Sequence, residues 1–152
     1  MNQEYKFGLE SSHESSNAPA EDSVLHTPAS ERTVLIVDDD TDQLLFFSLL
    51  LQRSGYRVLS ASSVSEAMAK MTEKPVDLVI SDFYMPHQSG RDLLEILRAR
   101  EATQATRRTP VIIISAADSD VESEMLRCGA DWFCPKRDHF SLLIKHVNGL
   151  LA

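Results

Sequence analysis

Five polar side chains stand directly at or after short apolar runs that are far apart in the chain. Asp38 and Asp39 follow TVLIV (Thr33 to Val37), Asp82 follows DLVIS (Asp77 to Ser81), Ser115 closes VIIIS (Val111 to Ser115), and Lys136 follows the run from Asp131 to Cys134. Three carboxylates held together repel and raise one another's pKa unless a cation sits among them. Hard oxygen donors with room for water suit Mg²⁺, which takes one or two carboxylates and keeps several waters. Such an ion keeps Asp82 ionised and able to attack phosphorus, and neutralises charge on phosphoryl oxygens in transfer. Lys136 offers a point charge to the same oxygens or to Asp82, and Ser115 a hydroxyl donor. Together they form a set suited to making an aspartyl phosphate. Taken singly, each residue reads more blandly: an Asp after a strand caps a helix or turn, a Lys there is solvated, a Ser caps. Local turn chemistry does not demand that four strand ends match, so it is their joint occurrence that carries the argument.

The elements that must position these residues alternate. TVLIV and VIIIS are β-branched apolar runs of the kind that form strands buried on both faces. Arg57 to Ala61 is the second strand, Asp77 to Ser81 the third and Asp131 to Cys134 a short fifth. A first helix, capped by Thr41 or Asp42, runs through Leu44, Phe47, Leu51 and Ser54 to a stop at Gly55. A second opens at Ser63 or Ser65, passes Ala67, Met68 and Met71, and closes before Pro75. A third, after a loop with Pro86 and Gly90, turns Leu93, Leu94 and Leu97 inward. Asp118 to Cys128 is a fourth, with acids at its positive end. Leu143, Val147, Leu150 and Leu151 give the stripe of a closing helix. Five strands alternating with five helices predict a doubly wound α/β fold with a parallel sheet, whose ligand site lies beyond the carboxyl ends of the strands.

Composition narrows the function classes. With 43% hydrophobic and 25% charged residues, the chain has the balance of a soluble globular protein, in length enough for one domain. The net charge of −8, from 15 basic and 23 acidic residues, argues against a nucleic-acid surface. The most apolar stretch, Leu44 to Leu51, is broken by Ser48 and far short of the roughly 18 residues of a bilayer span. The N-terminus lacks the basic start and apolar core of a secretory signal, and Cys128 and Cys134 make no framework, so a cytoplasmic protein with reduced thiols is expected. Residues 1–31, including SSHESSNAPAEDS, have little to bury and read as a disordered N-terminal arm; six of the acids fall there. Residues 32–152 form the predicted domain.

From about Thr33 to Leu151 the sequence resembles the receiver domain of bacterial two-component response regulators, in the manner of a chemotaxis-regulator-like single domain. VLIVDDD, DLVISDFYMPHQSGRDLL, PVIIISA and GADWFCPK carry the resemblance, in order, and DFYMPHQSG is the most specific. It implies the flavodoxin-like five-stranded sheet with strand order 2-1-3-4-5. By position it implies Asp82 as phosphoacceptor, Asp39 as a direct Mg²⁺ ligand, Asp38 as a ligand through water and the Tyr84 carbonyl as a backbone ligand. Ser115 resembles the switch hydroxyl, Phe133 the switch aromatic and Lys136 the phosphate-binding lysine. The function implied is a phosphorelay switch rather than an enzyme. A histidine kinase or phosphotransfer protein donates to Asp82, and the face of the fourth helix, fifth strand and fifth helix repacks to change contacts with a downstream protein partner. That face also allows a homodimer. Since the chain ends with the fifth helix, a stand-alone regulator or an excised receiver is expected, with no direct nucleic-acid contact and no membrane insertion.

Two departures stand out. The family places proline after the lysine, often with a cis bond; here Pro135 precedes Lys136 and Arg137 follows. A cis bond between Lys136 and Arg137 would cost about 2.5–4 kcal/mol, so a trans bond and a remodelled loop are predicted. That order favours the competing reading of a phosphorylation-independent interaction module. Tyr84 stands where smaller side chains are common, and either screens a phosphoryl group from water or simply faces solvent.

Other residues fit blander roles. The alternation of Asp38, Asp40 and Asp42 does not make a calcium loop, because Gln43 and Leu49 occupy the positions that need Gly and Glu. A Mg²⁺-dependent phosphohydrolase with Asp38 as nucleophile resembles a dehalogenase-type motif that Asp42 breaks; Asp40 and Asp42 read as helix-start acids. A flavin-binding reading shares the architecture, but an acidic strand end repels its phosphate. His87 reads as a solvated loop residue, His139 and His146 lack ligand spacing, Cys134 reads as buried, and Trp132 as either interface or edge packing. The first helix carries more apolar bulk than one stripe needs, which either two core layers absorb or an exposed patch at Phe46 and Leu50 presents to a partner.

Overall fold

In the computed structural model, residues 31–116, 119–138 and 140–152 are described. Each apolar run forms a strand with period-2 partition of its side chains: β1 (Thr33–Val37), β2 (Arg57–Ala61), β3 (Leu78–Asp82), β4 (Val111–Ser115) and β5 (Trp132–Pro135). All pair in parallel, in the order β2-β1-β3-β4-β5, as the resemblance implies. The helices are α1 (Thr41–Arg53), α2 (Val64–Glu73), α3 (Gly90–Gln104), α4 (Ser119–Arg127) and α5 (Phe140–Leu150).

The strands alternate because both faces are covered. Leu35, Val37, Val79, Val111 and Ile113 point to one layer, with Leu93, Leu94 and Leu97 of α3, Met125 of α4 and Ala67 of α2. Val34, Ile36, Ile80, Ile112 and Ile114 point to the other, with Phe47 and Leu51 of α1 and Leu143 and Val147 of α5. β3 and β4 are therefore buried at every residue, as central strands of a doubly covered sheet must be. Burying each leucine contributes about 1.5–3 kcal/mol, so Leu93→Ala or Leu143→Ala alone would remove about 2–5 kcal/mol.

Local chemistry sets the helix ends, with small shifts from the predicted ones. Asp40, not Thr41 or Asp42, caps α1: its carboxylate accepts from the Asp42 and Gln43 amides, while Asp42 lies in the first turn. The third residue of the DDD run can do this because its backbone is still extended. Ser63 caps α2, and Ser89 and Asp92 form a reciprocal capping box at α3. β3 and β5 each lie one residue later than predicted, because the Asp77 and Asp131 side chains accept from the Thr33 and Val111 amides and close the strand entrances. The predicted helix start at Asp118 falls outside the described residues, as do His139 and residues 1–30 of the predicted arm.

Candidate functional site

Register brings the acids together. Val37 pairs with Ser81, so Asp38, one residue on, stands beside Asp82 at the carboxyl end of β3. The Asp38 amide donates to the Ala61 carbonyl (3.1 Å), fixing the chain as it leaves β1. One carboxylate oxygen from each of Asp38, Asp39 and Asp82 lies within 4.8 Å of the others. Asp38 and Asp82 are 3% and 7% exposed; Asp39 faces solvent.

β5 brings the cation. Ser115 pairs with Pro135, and the Lys136 amide donates to the Ser115 carbonyl (2.8 Å). From there the Lys136 ammonium reaches Asp82 Oδ2 at 3.3 Å. The bond between Lys136 and Arg137 is trans, as predicted, and placing proline before the lysine leaves its reach intact. Ser115 is buried at the end of β4, and Phe133 is buried in the layer beneath α4.

The two buried carboxylates differ. Burial lifts the Asp38 carboxyl to about 6, helped by Asp82 and Asp39 and opposed by the Asp40 amide and Lys136. Burial also raises that of Asp82, opposed chiefly by the Lys136 charge, then by the Phe83 and Tyr84 amides. Asp38 Oδ1 accepts from the Asp40 amide at 2.9 Å. Asp82 Oδ1 is buried and has no hydrogen-bond partner among the described residues. The Phe83 N–H donates to the Ile114 carbonyl at 2.9 Å. A buried carboxylate oxygen left without a donor is costly unless a cation or ligand completes it. Three converging hard oxygens and one unfilled oxygen fit a small divalent cation such as Mg²⁺.

Gly90 supports the site from behind. Its amide donates to the Phe83 carbonyl (2.9 Å), and a Cβ there would stand 2.8 Å from the Asp82 carbonyl oxygen. Sequence reasoning read Gly90 only as a loop residue leading into the third helix; the close approach depends on the fold. Tyr84 is 58% exposed, its ring edge-on to Phe83 at 4.7 Å. His87 is exposed, as predicted.

Beside the site lies an aromatic group that sequence reasoning missed in part. Phe46 and Phe47 of α1 meet Phe140 of α5, with centroids 4.6 and 5.7 Å from it. With Lys136 they line a cavity of about 320 Å³. Phe46 is 45% exposed and Leu45 and Leu49 more so, so two core layers do not absorb the apolar bulk of α1. Trp132 is half-buried on the edge strand and stacks on His146 at 3.6 Å. Cys134 is buried as predicted. Among the described residues no helix is long and apolar enough to cross a membrane.

Known proteins are similar to this chain in sequence and fold. The sequence profile of the response regulator receiver domain matches residues 34–148. The chain is 33% identical over 119 residues to the transcriptional regulatory protein CpxR of Klebsiella pneumoniae, covering 78% of this chain and 48% of that one. It is 33% identical over 128 residues to the transcriptional regulatory protein PrrA of Mycobacterium leprae, covering 84% and 53%. The chain thus spans about half the length of these relatives. Among solved structures, the receiver domain of the Francisella response regulator 1452 superposes with a TM-score of 0.72 at 32% identity, over 79% of this chain and 96% of that one. The response regulator TrrA of Thermotoga maritima, in complex with Mg²⁺-BeF, gives 0.69 at 28%, over 78% and 98%.

Proposed function

The chain belongs to the response regulator receiver family, and from that premise we propose that it is a phosphorelay switch whose acceptor is Asp82 and whose donor is a histidine kinase or phosphotransfer protein. The observation that carries this reading is the open Oδ1 of Asp82, buried beside two further carboxylates while Oδ2 faces Lys136. One oxygen of the Asp82 carboxylate attacks phosphorus, the O–P bond forms as the donor's P–N bond breaks, and the electron pair returns to the imidazole. Lys136 holds Asp82 ionised and stands ready for a phosphoryl oxygen. Asp38, Asp39, Asp82 and the Tyr84 carbonyl would hold Mg²⁺, which when bound supplies positive charge against the phosphoryl oxygens. The Ser115 hydroxyl donates to the phosphoryl group, and Phe133 reorients with it. The α4-β5-α5 face then changes its contacts with a downstream partner, or with a second copy. The receiver would span Arg32 to Ala152 and act in the cytoplasm.

The alternative of a phosphorylation-independent module rests on the order Pro135-Lys136-Arg137; the 3.3 Å contact of Lys136 with Asp82 supports the phosphoacceptor reading over it. The test is mass spectrometry after treatment with acetyl phosphate, with and without Mg²⁺. One phosphate on Asp82, dependent on Mg²⁺ and lost in Asp82→Ala, is expected; labelling elsewhere, or none, overturns the reading.

A further inference from the structure

At the opposite end of the sheet from Asp82 lies a cavity of about 390 Å³, between the end of α2, the second half of α3 and the loops entering β3 and β4. Its floor is apolar, with Met71, Val76 and Leu97, and its rim carries Arg100 and Arg107. Two acids also line it, but both are already engaged. Asp77 pairs with Arg32 (3.6 Å) and accepts from the Thr33 amide (2.8 Å). Glu101 pairs with Arg98 (2.9 Å) and accepts from the Thr109 amide (2.7 Å). Among the described residues Arg100 reaches only neutral acceptors, the Met68 carbonyl and Gln104. Among the described residues neither Arg100 nor Arg107 belongs to an ion pair. The cavity therefore presents two uncompensated guanidiniums above an apolar floor, which suits a segment with acids beside aliphatic side chains.

The described chain begins beside this cavity. The chain arrives through Arg32, which is ion-paired to the lining residue Asp77. Ahead of it stands Glu21-Asp22-Ser23-Val24-Leu25, two acids followed by two apolar residues, in a stretch with no Lys or Arg between Lys6 and Arg32. Leu25 precedes Arg32 by seven residues, an extended reach of about 24 Å, enough to cross a cavity of this size. Tethering at so short a range gives an effective concentration in the millimolar range, so even weak charge pairing and apolar contact are sufficient.

We propose that the cavity between α2 and α3 is a docking site for this chain's own Glu21–Leu25 segment. Glu21 and Asp22 pair with Arg100 and Arg107, and Val24 and Leu25 lie on Met71 and Leu97. The occupied cavity borders the loops that lead into β3 and β4, whose far ends are Asp82 and Ser115.

The experiment uses the full chain with a photo-crosslinking benzoylphenylalanine in place of Leu25, and cross-links mapped by mass spectrometry. The expected cross-links join position 25 to peptides containing Met71 or Leu97, within one chain. They should fall about fivefold in Glu21→Lys/Asp22→Lys, which changes no residue of the folded domain, and fall again as salt rises. Adding Arg100→Glu/Arg107→Glu to that variant should restore them. Cross-links spread over the surface, a yield indifferent to the charge reversal, or adducts that join isotopically distinct chains each overturn the proposal. The last outcome would make the occupant a second copy.

Discussion

Lys136 Nζ and Asp82 Oδ2 stand 3.3 Å apart across the end of the sheet, although the lysine leaves β5 without the proline that follows it in the family pattern. Its backbone is fixed by the Ser115 carbonyl, one strand away, so the ammonium is aimed by β4 as much as by its own loop. Lys136→Met keeps the stem and deletes the charge. The carboxyl of Asp82 should then move further above its ordinary value, and acetyl phosphate labelling should slow by at least about tenfold. Labelling time courses measure this, and an unchanged rate would remove Lys136 from the chemistry.

Asp38 makes the metal-free protein sensitive to pH in an unusual direction. Its carboxyl is lifted from 3.8 to about 6, so between these values the folded protein binds a proton that the unfolded chain does not. The stabilisation is present below pH 4 and is lost as pH rises through 6, the opposite of an ion-paired aspartate. Asp38→Asn should therefore raise stability at pH 7 by up to about 3 kcal/mol and flatten the slope between pH 4 and 6. Asp82, also shifted upward, leaves a residual slope. Urea denaturation in EDTA across this range tests both. Mg²⁺ affinity, read by calorimetry, should weaken about tenfold from pH 7 to pH 5 as the proton competes for Asp38.

The strands were legible because alternation and punctuation agree with packing, whereas their order was implied only by the family resemblance. TVLIV and VIIIS have no reading as surface helices, and acids or Pro110 stand at their ends. The five strand-end residues were legible for the same reason, since a parallel sheet aligns all carboxyl ends. Less was visible where several polar residues compete for one local task. In the three aspartates in a row, the third read as a helix-start acid without being singled out as the cap of α1, and nothing marked the first as buried. The role of Gly90 and the meeting of Phe140 with Phe46 depend on pairs 8 and 94 residues apart, which no local pattern encodes.

Gly90 is a steric requirement of the site. A methyl at this position meets the Asp82 carbonyl at 2.8 Å and the Phe83 Cα at 3.1 Å, both backbone atoms that cannot rotate away. Gly90→Ala should cost about 1–3 kcal/mol in urea denaturation, although alanine is the better helix former. Because the strain falls on the residue that carries the acceptor carboxylate, labelling should slow more than in a core variant of equal stability loss, such as Val79→Ala.

Tyr84 offers a separable control on lifetime. Its ring is largely exposed and touches Phe83, so removing it should leave stability within about 0.5 kcal/mol. A ring two residues past the acceptor can still exclude water from a phosphoryl group on Asp82. Tyr84→Ala should shorten the phosphoryl lifetime several-fold, followed by decay of labelled protein after the donor is removed. An unchanged decay would leave Tyr84 a solvent-facing loop residue.

The exposed side of α1 separates docking from chemistry. Leu45 and Leu49 are at least half exposed, Phe46 nearly so, and Phe46 also walls the cavity that Lys136 shares with Phe140. On the proposed function, a protein donor would bring its histidine over Asp82 and so cover the surface beside Lys136, whereas acetyl phosphate needs none of it. Leu45→Glu and Leu49→Glu remove little core packing and should change stability by less than about 0.5 kcal/mol. They should leave acetyl phosphate labelling unchanged but weaken transfer from a phosphotransfer protein by tenfold or more, since burying an unpaired carboxylate in an apolar interface costs about 1–3 kcal/mol. Equal loss with both donors would place the effect in the acceptor site. Loss with neither would leave the apolar face of α1 without a part in donor recognition.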